Sequence, residues 1–121
     1  MITEDYVSFE IAKLLKEKGF DECPLFRYDD CRHLWVQGGY NKTIKWHFPA
    51  PTLQMAMKWL REIHGYVIVV EPGLSGDKYV WTYKVIFYRT RTMLLQHEDN
   101  VGSSTYEEAV ETALKYCLNL I

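Results

Sequence analysis

Cys31 and His33 stand two residues apart in "DDCRHLW" (29–35). Residues i and i+2 of a strand share a face, so a thiol and an imidazole at this spacing are the raw material of a nucleophile and its base. With Cys23 upstream, the same side chains are the weak candidates for a metal site. Zinc prefers four N/S ligands that begin from tight C-x₂₋₄-C pairs. C-x₇-C-x-H is not such a pair, and a fourth ligand would have to come from His47, His64, His97 or Cys117. No metal and no cofactor is expected. The nucleophile reading lacks an orienting carboxylate in a defined place, and Asp29-Asp30 reads as a turn. Gly38-Gly39 and "GLSG" (73–76) lack the following helix that a phosphate loop needs. Ser75 lies in a turn before a strand, where a nucleophile elbow would need a helix. No catalytic residue is assigned, and the chain carries no enzyme signature.

A second chemistry is binding. "KYVWTYKVIFYRT" (78–90) places Tyr79, Trp81, Tyr83, Val85 and Phe87 on alternate positions, with Val80, Thr82, Lys84, Ile86 and Tyr88 between them. Single-strand nucleic-acid binders stack bases on aromatic rings beside cations, at about 1–3 kcal/mol per base. Tyr88, Lys84, Arg89 and Arg91 are the residues here that suit it. The richer odd row is expected to be core, because large apolar side chains each contribute about 1.5–3 kcal/mol when fully buried. The even row is then left for a partner, and Val80, Lys84, Ile86, Tyr88, Arg89 and Arg91 form the candidate partner-binding set.

The rest of the chain constrains both readings. Its 121 residues suit a single α+β domain spanning 1–121. A net charge of −2 provides no bulk attraction for nucleic acid or an anionic membrane. The N-terminal stretch has acidic residues where a secretion signal would be basic, and no window approaches a membrane span. Three cysteines without repeating spacing fit reduced thiols and a cytoplasmic location.

The elements that must position these residues follow from periodicity. Val7, Ile11, Leu14 and Leu15 predict a helix over 3–18, with Glu4 and Asp5 at its positive end and Gly19 as its left-handed stop. Strands are predicted at 25–28 and 33–37. "TIKWHF" (43–48) alternates and predicts a strand with Ile44, Trp46 and Phe48 inward, ended by "PAP" (49–51). Thr52 caps a predicted helix over 53–64, stopped by Gly65. "YVIVVE" (66–71) predicts a central strand, "PGLSGD" (72–77) a turn, 78–90 its hairpin partner and "TMLLQ" (92–96) a further strand. A polar loop over 97–104 leads to a last helix, where Thr105 and Glu108 have capping-box spacing. The class is α+β: antiparallel hairpin sheet with three amphipathic helices, order α-ββ(β)-α-ββ(β)-α, in two layers.

"FEIAKLLKEKGF" (9–20), "APTLQMAMKWLREIHG" (50–65) and "TYEEAVETALKYCL" (105–118) resemble segments of small uncharacterised proteins encoded by phages, prophages and mobile elements of gut anaerobic bacteria. The resemblance implies a phage-related origin and expression in the cytoplasm of a bacterial host cell. It transfers no activity and no site residue. The expected function is therefore that of a non-enzymatic accessory protein acting through protein–protein contacts, with single-stranded nucleic-acid binding as the alternative. The expected partner is another protein or a second copy, docked through the 78–90 strand as a homodimer; no membrane partner is expected.

Overall fold

A computed structural model describes residues 2, 4–22, 24, 26–35, 39–96 and 102–121. The elements are α1 (Phe9–Glu17), β1 (Arg27–Tyr28), β2 (Leu34–Trp35), β3 (Phe48–Pro49), α2 (Leu53–Trp59) with a π-helical turn (Leu60–His64), β4 (Tyr66–Ser75), β5 (Lys78–Phe87), β6 (Thr92–Gln96) and α3 (Tyr106–Leu120). The class and order are α+β as expected, with two three-stranded antiparallel sheets in place of one. The chain forms two compact units, 1–56 with 121, and 57–120.

In the first unit, α1 begins later than its apolar spacing predicts. Residues 5–7 are extended instead: Tyr6 bridges Thr52, Val7 N–H donates to Pro51 O, and Leu53 N–H donates to Asp5 O. These bonds hold Glu4 and Asp5 outside the helix, and Ser8 takes the cap, its Oγ accepting from Ile11 N–H. The other end is as expected. Gly19 has φ +88°, Phe20 N–H reaches Leu15 O, and Gly19 N–H reaches Lys16 O, the two bonds of a Schellman stop. Val7, Ile11, Ala12, Leu15 and Phe20 are buried.

The small sheet of this unit has the order β2-β1-β3. The expected strand over 43–48 is a correction: only Phe48 and Pro49 pair, and 42–46 turn. The ammonium of Lys16 gathers the carbonyls of Ile44 (2.7 Å), Lys45 (3.0 Å) and His47 (2.7 Å), so those groups have no ladder to join. Asn41 Oδ1 accepts from Thr43 N–H and its hydroxyl, and His47 Nδ1 accepts from Asn41 N–H. The inward–outward alternation breaks at two positions: Trp46 is exposed and His47 buried, while Ile44 and Phe48 are half-buried and Thr43 and Lys45 exposed as expected. Pro49 continues the strand, which it can do on an edge. Leu25, Val36 and Gln37, parts of the expected strands, lie outside the described residues, as does Gly38.

The stretch 53–64, whose residues from Met57 onward belong to the second unit, is helical throughout, with its last turn widened to π and closed by Gly65 at φ +77°. Trp59 and Leu60 are buried. β4 and β5 pair along ten residues each, from Tyr66↔Phe87 to Ser75↔Lys78. The turn is narrower than expected. It comprises Gly76 and Asp77, with Gly76 at φ +61° as a tight hairpin requires at its first position. The sheet order is β4-β5-β6, so "YVIVVE" is an edge strand and β5 is the central one. Its apolar run reflects two half-buried faces.

α3 packs on β4 and β5. Tyr83 and Val85 are buried, and Trp81 meets the Tyr106 ring of α3 edge-on at 5.5 Å. The odd row of β5 is therefore the core face over this stretch. Tyr79, 85% exposed, overhangs at the hairpin tip. Glu108 N–H donates to Thr105 Oγ1, as the cap requires, but the Glu108 carboxylate returns to Ser104 N–H and Oγ, one residue short of the expected partner. The loop residues 97–101 lie outside the described residues. Among the described residues no helix is long and apolar enough to cross a membrane.

Candidate interaction face of the β4–β6 sheet

Register decides which side chains share a face. Ile86 pairs with Val67 on one side and Met93 on the other, Lys84 pairs with Val69, and Thr82 pairs with Glu71. Tyr83 and Val85 point to α3, so these residues form the opposite, outer face. Val67, Val69 and Ile86 are half-buried, and Met93 is 52% exposed. Across this apolar row Lys84 Nζ lies 3.2 Å from Glu71 Oε1. The cation in the middle of this face, Lys84, is thus neutralised within the sheet, while Lys78 on the same row is exposed at the hairpin tip. An ion pair this exposed adds little stability. Its effect is on what the face attracts.

The remaining members of the predicted set lie at the ends of the strand. Val80 packs against Gly102, where a side-chain carbon would overlap the Val80 Cβ and Cγ2 atoms; glycine lets the 102–103 segment approach. Trp81 N–H and C=O both bond Ser103, so this segment extends the second edge of β5 beyond β6. Tyr88, Arg89 and Arg91 are exposed in the 88–91 turn, held by Tyr88 N–H on Gly65 O and Arg91 N–H on Tyr88 O. Arg91 has φ +57°. Arg89 lies beside Gly65, and its charge, after burial, helps lower the pKa of His64. The structure therefore divides the set. Lys84 and Ile86 belong to a neutralised apolar face, while Tyr88, Arg89 and Arg91 form a separate basic corner.

The hairpin candidates sit in the first unit. Asp29, Asp30 and Cys31 bring their ligand atoms within 4.8 Å of one another. Asp29 is already committed: its carboxylate accepts from Cys31 N–H (2.8 Å), His33 N–H (2.9 Å) and Trp35 Nε1–H (2.8 Å). The Trp35 bond, followed by the His33 amide, holds the Asp29 pKa below the usual value. Cys31 is exposed, and the charges of Asp30 and Asp29 raise its pKa, opposite to what a thiolate nucleophile needs. His33 Nδ1 lies 3.7 Å from Asp29 Oδ2. These groups organise a turn. Cys23 lies outside the described residues.

Glu71 is the residue that spacing alone passed over. The signal was available in the hairpin register, because fixing the turn at Gly76-Asp77 puts Glu71 opposite Thr82 and diagonal to Lys84. A further opening of about 300 Å³ in the first unit is lined by apolar groups, among them Tyr6, Phe20, Phe26 and Met55, with Glu22 among its lining residues. No family model, curated protein or solved structure matches this chain.

Proposed function

We propose that this chain is a non-enzymatic accessory protein that binds another protein through the outer face of the β4–β6 sheet. The observation that carries the reading is the Lys84–Glu71 pair lying across a row of Val67, Val69, Ile86 and Met93. A phosphate-binding strand needs its cation free, whereas a protein interface favours apolar anchors with charges paired. The phage-related origin and the cytoplasmic location rest on the resemblance of the three helical segments, and they complete the proposal as an accessory protein of a mobile element.

A second reading has its own observation. The 88–91 turn presents an exposed aromatic ring between strand end and two exposed guanidinium groups, which is stacking and phosphate chemistry on one short segment. Anisotropy of a labelled single-stranded oligonucleotide separates the two. The protein-binding reading expects no saturable binding even at low salt. Binding that falls steeply with salt and disappears in Arg89→Glu with Arg91→Glu would replace it with the nucleic-acid reading.

A further inference from the structure

β4 is ten residues long and, among the described residues, pairs with β5 alone. The direction of its backbone groups follows from two bonds. Tyr88 N–H donates to Gly65 O, which makes Gly65↔Tyr88 a hydrogen-bonded position of the ladder. Trp81 commits both its N–H and its C=O to Ser103, so Pro72, its Cα partner on β4, sits at a non-bonded position. Both observations give one alternation. Val67, Val69, Glu71 and Gly73 turn their N–H and C=O groups toward β5; Tyr66, Ile68, Val70, Pro72 and Leu74 turn theirs to the open edge.

Such an edge is a template for another strand, and natural sheets blunt it with proline or charge. Here the blunting is confined to one half. Pro72 occupies an outward position, where its ring replaces a donor and obstructs an incoming strand. The preceding half, Tyr66 to Val70, has no proline, no charge and a β-branched residue at each position after Tyr66.

We propose that this half-edge pairs antiparallel with the same half-edge of a second copy of the chain, about a two-fold axis at Ile68. The register is dictated by Pro72. Pairing that excludes it runs over 66–70, and two-fold symmetry then sets Ile68 opposite Ile68, and Tyr66 opposite Val70. Every outward N–H and C=O of those residues gains a partner. Val67 of each copy faces Val69 of the other on the outer side. Glu71 falls opposite Gly65, so no charge meets its like. The second copy is favoured over an unrelated extended peptide because the segment is its own complement in length, polarity and charge. β5 cannot serve in this way, since β4 occupies one of its edges and β6 with Ser103 occupies the other.

The contact stands on backbone groups and is independent of the outer-face reading. Sedimentation of the parent chain is expected to show a concentration-dependent dimer; a monomer at high micromolar concentration overturns the proposal. Two double variants test the register. Val67→Glu with Val69→Glu sets like charges across the axis, and Val67→Lys with Val69→Glu sets opposite ones. The first is expected to dimerise roughly tenfold or more weakly than the second, because two cross-strand pairs change sign. Equal association overturns the register. Should the doubly acidic variant not fold, amide exchange in the parent decides. The N–H groups of Ile68 and Val70 should exchange fast when dilute and slowly when concentrated. Exchange independent of concentration contradicts the edge contact. Loss of this dimer with capture of a different protein at the outer face would leave the functional proposal standing.

Discussion

The ammonium of Lys16 sits 2.7 Å from the carbonyl oxygen of His47, 31 residues along the chain. With Ile44 and Lys45 it completes a cage of three carbonyls around one cation, and the same ammonium lies 5.2 Å from the Phe48 ring centre. This single side chain turns an alternating stretch into a folded loop. Lys16→Met keeps the stem and removes the donors. It should destabilise the first unit by about 1.5–3 kcal/mol, the range for hydrogen bonds to charged groups. Urea denaturation followed by tryptophan fluorescence and circular dichroism measures it; an unchanged midpoint would show that the cage is incidental.

His47 predicts an acid weakness. Its Nδ1 accepts from Asn41 N–H, and burial first, then Arg27 and Lys16, lower its pKa. A histidine whose folded pKa is depressed contributes stability in full above its unfolded value of about 6.5, and loses it as pH falls from there to the folded value. His64, lowered by burial and Arg89, acts in the same direction in the second unit. Thermal midpoints should therefore drop between neutral pH and pH 5, and His47→Gln should flatten part of that drop. A midpoint that rises on acidification in this window would contradict the assignment.

What the primary structure revealed and concealed divides by range. Gly19, Gly65, the Thr52 and Thr105 caps and the Tyr83/Val85 alternation are local signals, each read from neighbours within a turn or a strand. The 43–48 stretch misled because its alternation was genuine but its carbonyls were claimed by Lys16. The start of α1 was misplaced for a similar reason: Pro51 and Leu53 bind residues that local propensity would have made helical. At the candidate face, the even row of β5 was legible from its own alternation. Its neutralisation was not, because Glu71 reaches Lys84 only after the hairpin register is known.

Thr105→Ala should cost about 0.5–2 kcal/mol, the usual loss for a helix N-cap. Ser104→Ala, which removes only the hydroxyl contact to the Glu108 carboxylate, should cost less. The order of the two midpoints is the informative result. A larger loss from Ser104→Ala would mean that the carboxylate end of the motif carries it.

The thiols should separate by rate. Cys117 is buried and its pKa is pushed up to about 12, while Cys31 is exposed. A thiol-reactive dye under native conditions should label Cys31 and leave Cys117 until the protein is unfolded. Equal rates would place Cys117 outside the α3 core face.

The functional account turns on one position. A photo-crosslinking amino acid at Ile86, on the outer face, should give one discrete adduct in the expressing cell, and the same probe at the exposed hairpin-tip position Tyr79 should not. The adduct mass identifies the partner, with twice the chain mass reporting a second copy. Adducts equal at both positions, none at Ile86, or adducts to nucleic acid would contradict a protein-binding outer face.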